Sequence, residues 1–213
     1  MAKKAHNNPV PPREKDERET KDGGKNGMRQ NGRAYKREAA DLFLLGGTVS
    51  FLGWLSETFF CALAEGGYSD RGFLSLPFCP IYGVTVLAAF FLLGTPAAGG
   101  ILLKRVKKKK VRLPLFFLLA VLLPTAAELG TGVFFRKVYH RRLWNYGAYP
   151  FSYKGYICLP FSLAWGILLT LFLWLGFDRL RGFFARFSGT AAFSLAGLLL
   201  SALTVDAALH FFG

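Results

Sequence analysis

Apolar and polar residues are segregated along this chain rather than interleaved. Residues 1–41 hold almost no aliphatic side chains, and from Leu42 onward long apolar runs alternate with short polar or basic breaks. Five runs, approximately 42–63, 76–103, 113–135, 157–177 and 189–212, have the about 20 helical residues needed to cross a hydrocarbon core of about 30 Å. They predict an all-α fold, a polytopic transmembrane helix bundle of about five spans. Gly94-Thr95-Pro96 interrupts the second run, where a kink, an early helix end or a short extra segment would each fit. Residues 1–41 cannot bury enough apolar surface to offset the entropy of ordering them, and predict a disordered tail. No short apolar core with a small-residue cleavage site lies near Met1, so the first apolar run is expected to be the insertion signal.

A phrase of thirteen residues occurs twice, 83 residues apart, as RGFLSLPFCPIYG at 71–83 and KGYICLPFSLAWG at 154–166. Basic residue, glycine, aromatic, aliphatic, Leu-Pro-Phe and aromatic-Gly fall in register. Shared hydrophobic composition would not align them so. Upstream, Glu57 lies 15 residues after Leu42 and Glu128 lies 15 residues after Leu113, matching depths in the first and third runs. The expectation is an internal two-helix repeat: a tail over 1–41, a first transmembrane repeat over 42–105, a second over 113–180, and an additional C-terminal transmembrane helix over 189–212.

Charge then orients the bundle. The formal net charge is +14, and cytoplasmic loops retain Lys and Arg. With the tail inside, 21 of the basic residues fall on the cytoplasmic side, drawn from the tail, residues 104–112 and residues 178–186, and 6 fall outside. The expected localisation is the cell membrane, multi-pass, with the N-terminus cytoplasmic and the C-terminus outside. RKVYHRR at 136–142 runs against this tally and would fit an interfacial helix or an anionic ligand. The basic tail and the 104–112 run read as topology determinants attracted to anionic lipid, and nucleic acid is not an expected partner, because no stacking aromatics are interleaved with the charges.

Candidate chemistry centres on the acids. An ionisable side chain inside a span is costly and usually faces a bundle interior or a watery cavity. Glu57 and Glu128 are therefore the first candidates for a substrate path, with Arg71 and Lys154, at the start of the returning segments, as ion-pair partners in either pairing. The alternative is that these groups only fix helix register, or that the glutamates stay neutral. Tyr82 and Trp165, with Trp144 and Tyr146 in the aromatic-rich loop 143–155, are candidates for ligand contact or for an interfacial belt. That loop is an insertion of 12 residues relative to the first copy, and could form a lid or lie on the membrane surface. Asp206 stands one helical turn from His210, close enough for a local hydrogen bond. Cys61, Cys79 and Cys158, and His6, His140 and His210, show no ligand spacing, so no metal and no cofactor are expected.

The strings GWLSETFF around Glu57, DRGFL, PFCPIYG, then Glu128, LWNY and KGYICLPFSLAWG, together spanning roughly 43–180, resemble the bacterial ABC-transporter type IV permease family. Asn145 stands where that family's Trp-Asp-Tyr segment carries an acid. The resemblance implies a small multi-pass permease-like subunit of a transport system. No G-x-x-x-x-G-K-[ST] phosphate loop is present, so a separate ATPase subunit is the implied partner. Membrane lipid and a second copy of the chain are further expected partners. Two other readings stay open: a membrane enzyme or lipid-handling protein acting on a phospholipid or polyisoprenoid, with Glu57 or Glu128 as acid or base, and a non-catalytic membrane scaffold.

Overall fold

The structure is a computed structural model; it describes the backbone over residues 12–65 and 74–212 and side chains over 30–63 and 74–210. The chain divides into two compact units, Met1–Ala39 and Ala40–Gly213. The first helix, α1 (Pro12–Glu65), begins inside the stretch whose composition predicts disorder. Glu, Lys and Arg are good helix formers without any tertiary contact. Residues 30–39 are exposed apart from the half-buried Arg37. Burial begins at Ala40 and continues through Leu42, Leu44 and Leu45.

The second unit continues with α2 (Pro80–Leu93) and α3 (Lys109–Val138). A hairpin of two short strands follows, β1 (Ser152–Tyr153) and β2 (Ile157–Cys158). Next come α4 (Leu159–Leu171), a π-helical turn (Phe172–Gly176), α5 (Phe177–Phe184) and α6 (Gly189–Phe212). The run from Leu159 to Phe184 is continuous enough to count as one span. With Gln30–Leu63, Lys109–Val138 and Gly189–His210 it makes four helical stretches long and apolar enough to cross a membrane. The bundle is all-α, as expected, with the small hairpin as its one addition among the described residues.

The second apolar run does not span as a single helix. α2 stops at Leu93, and Gly94 turns the chain with φ 74°, a left-handed conformation that suits glycine. The four carbonyls freed at the helix end are all taken up: Phe90 O by Gly94 N–H (2.9 Å), Phe91 O by Ile101 N–H (3.3 Å), Leu92 O by Leu102 N–H (2.8 Å) and Leu93 O by Gly100 N–H (2.6 Å). Arg112 from the base of α3 donates to Pro96 O and Ala97 O, fastening the same turn. The Gly-Pro break thus ends the helix with its backbone satisfied.

Helix starts also differ between the two copies of the phrase. α4 opens at Leu159 with Pro160 in its first turn, whereas α2 opens at Pro80, three residues beyond Pro77. The reason is Asp206 on α6. Its carboxylate accepts the N–H groups of Ser75 (3.2 Å) and Leu76 (2.9 Å), holding 74–79 out of the helix, and Cys79 N–H donates to Ser50 O at 3.1 Å. His210 also lies 3.4 Å from Asp206, the local contact the sequence suggested.

The core gathers at one end of the unit, around Leu45, Leu93, Leu103, Phe116, Leu173 and Phe177, each nearly inaccessible. Phe90 and Phe177 stack with ring centroids 4.0 Å apart. α3 packs on α4 and on α2. Two glycines at matching positions of the phrase permit the closest helix contacts: a side chain on Gly83 would collide with Gly46 O and Ser50 Oγ of α1, and one on Gly166 with Val121 of α3. The outer surface is apolar, with Phe59, Trp174, Leu198 and Leu209 all more than 60% exposed. Water would not tolerate so much exposed hydrocarbon. A bilayer does.

Candidate functional site

Away from that core, the helices separate around a cavity of about 1090 Å³ lined from α1, α2, α3, α4, α6 and the loop after α3. Glu57, Tyr82, Glu128, Trp144, Tyr146 and Trp165 all line it. Glu57 Oε2 accepts a hydrogen bond from the Tyr82 hydroxyl at 3.0 Å, with Cys79 Sγ 3.9 Å away. Glu128 Oε1 accepts from Trp165 Nε1 at 3.0 Å and from the Tyr146 hydroxyl at 3.2 Å. Its other oxygen, Oε2, is buried and has no hydrogen-bond partner among the described residues. The Tyr82 and Trp165 rings meet edge to face at 5.2 Å.

Local structure explains each placement. Pro124 lies inside α3, one turn before Glu128, and removes a backbone donor there, while the Thr125 hydroxyl bonds back to Val121 O at 2.7 Å. Both Pro124 and Glu128 open onto the cavity. Tyr82 and Trp165 each precede the close-packing glycine of their helix, so the glycine draws the helix in and the aromatic reaches the neighbouring acid. The loop after α3 is fixed by several bonds of its own. Trp144 Nε1 donates to Tyr156 O at 2.7 Å, Tyr146 N–H donates to Gly155 O at 2.9 Å, and the Tyr146 ring stacks on Phe161 with centroids 4.9 Å apart. Leu143, Trp144 and Tyr146 thereby line one side of the cavity. Burial first, and then the charge of Glu128, push the Tyr146 phenol well above its ordinary value, so it remains a donor.

Lys154 occupies a position that sequence reasoning did not foresee. Lys154 and Gly155 both have positive φ, 52° and 76°, and Tyr156 N–H bonds to Tyr153 O at 3.0 Å. Tyr153 pairs with Ile157, so residues 154–156 connect β1 to β2, and the two left-handed residues give the connection its tight turn. The Lys154 ammonium lies 5.5 Å from the Tyr153 ring centroid, and its carbonyl accepts from Arg142 at 3.1 Å. Glu128 is met by aromatic donors instead. Arg71 lies outside the described residues. Asn145, at the place of an expected acid, accepts from Gly147 N–H at 3.1 Å and holds the loop turn. No cluster of three or more His, Cys, Asp or Glu able to hold a metal occurs among the described residues.

Four bilayer-length apolar helical stretches around a carboxylate-bearing cavity define a polytopic membrane protein. A family model described as "Putative ABC-transporter type IV" matches residues 44–211, and the chain belongs to that family. Comparison with curated proteins and with solved structures found no match.

Proposed function

We propose that this chain is a permease-like membrane subunit of a transport system, with the cavity around Glu57 and Glu128 as its solute site. The observation that carries the reading is the pairing inside that cavity. Each of the two cavity carboxylates accepts from an aromatic donor, Tyr82 on Glu57 and Trp165 on Glu128, and these donors stand at the same position of the two repeated phrases. A hydrogen bond of this kind helps a carboxylate face an enclosed, mostly apolar space. The two pairings meeting ring to ring support an internal duplication, with the site where its halves join. Energy would enter from a separate ATPase docked on the cytoplasmic segments, since the chain has no phosphate loop. The excess of basic residues in 1–41, 104–112 and 178–186 supports a cytoplasmic N-terminus and, with it, an outer C-terminus.

The test is affinity purification of the tagged protein from native membranes in mild detergent, followed by mass spectrometry. Wild type would be compared with the Glu57→Gln, Glu128→Gln double variant. A co-purifying nucleotide-binding subunit is the expected result. Its absence, together with a lipid that wild type retains and the variant loses, would overturn the transport reading in favour of a lipid-handling protein.

A further inference from the structure

The cavity's lining is selective in charge as well as shape. Its described lining includes two carboxylates and no lysine, arginine or histidine, while the remainder is largely aliphatic and aromatic. A ligand carrying negative charge would meet the Glu128 carboxylate in a poorly screened interior, where like charges repel strongly. A purely apolar ligand would leave the buried Glu128 Oε2 without a donor, a cost that the surrounding hydrocarbon cannot offset. For a metal ion, no group of three or more His, Cys, Asp or Glu able to hold one exists among the described residues.

Resting on the transport reading of the same site, we propose that the cavity's ligand is an organic cation with a protonated amine. Its N–H group would be accepted by Glu128 Oε2, and its apolar body would lie against Tyr82, Trp144, Tyr146 and Trp165. Three features support this assignment independently. Glu128 Oε1 is already occupied by Trp165 and Tyr146, which fixes the carboxylate and leaves Oε2 as its one open acceptor among the described residues. The four aromatics supply π surfaces that attract ammonium groups, most strongly once water is excluded. The cavity volume, about 1090 Å³, exceeds what a bare inorganic ion would need and suits a ligand with a substantial apolar part.

The experiment uses the full-length protein in lipid discs at neutral pH, with isothermal titration calorimetry. The probes are phenethylammonium and the longer phenylbutylammonium, each compared with the alcohol and the carboxylate of the same skeleton. The ammonium members should bind about tenfold or more tightly than the alcohols, the carboxylates should not bind, and Glu128→Gln should weaken the ammonium members by a similar factor. Equal binding of alcohol and ammonium, preference for the carboxylates, or no binding by either ammonium probe would overturn the assignment. The comparison across probes on wild type stands even if Glu128→Gln does not fold. A nucleotide-binding subunit that co-purifies with a protein blind to amines would sink this inference alone. Amine binding without such a subunit would sink the transport reading alone.

Discussion

Trp165 and Tyr82 show how a ring with a single polar atom can serve a carboxylate inside a membrane bundle. Each offers one donor on an otherwise apolar ring, so it can line a cavity and still satisfy an acid. Trp165→Phe should therefore destabilise the protein by about 0.5–1.5 kcal/mol, the loss of one of the two hydrogen bonds on Glu128 Oε1, as read from thermal unfolding in detergent. An unchanged midpoint would show that Glu128 does not depend on the indole. Tyr146 makes a separate prediction. Its folded pKa is raised, so the stability it contributes is complete below the unfolded value of about 10 and is lost only as pH climbs toward the higher folded value. Near-ultraviolet titration of wild type and Tyr146→Phe should show the same tyrosinate signal up to about pH 10.5. An extra ionising tyrosine in wild type would show that the phenol is not held. At this scale the two glutamates could be read from the sequence, because acids are costly in apolar runs. Their partners were less legible. An aromatic near a span end looks the same whether it meets lipid or a carboxylate, and Lys154 looked like a counter-ion because its turn joins strands of only two residues, too short to show alternation.

Among the elements, the matched glycines decide how closely the helices approach. Gly83→Ala would force a methyl group against Gly46 O and Ser50 Oγ, and Gly166→Ala would force one into Val121. Each substitution should cost about 1–3 kcal/mol through overpacking. Gly197→Ala on α6, where no atom lies within 4 Å, should be neutral or stabilising by up to about 1 kcal/mol. Thermal unfolding of the three variants checks the contrast, and equal effects would refute the close-packing role. Helix existence was legible from the lengths of the apolar runs. Helix ends were not. The Gly94-Thr95-Pro96 break was visible, yet whether it bent or stopped the helix depended on donors from residues 100–102, just past the break, and on Arg112, further along the chain. The late start of α2 depends on Asp206, about 130 residues away, which no local pattern announces.

For the molecule as a whole, the short second helix has a consequence for its surroundings. α2 has 14 residues, about 21 Å of helix against a hydrocarbon core of about 30 Å. It still presents Val84 and Phe91 outward. The neighbouring α1, α3 and α6 are long enough to span, so the mismatch is local to one sector of the perimeter. Lipid beside α2 must compress to meet it, and the energy of doing so grows with acyl chain length. Reconstitution into phosphatidylcholines of short, intermediate and long chains should give a thermal midpoint that falls as the bilayer thickens. A midpoint that rises steadily with thickness would show that α2 does not contact lipid. A dimple on that flank would bring water on one side closer to the carboxylate cavity than anywhere else on the perimeter. It would also concentrate the membrane's voltage drop across the thinned sector, so that sector is where a cation leaving the cavity would feel the membrane potential most steeply.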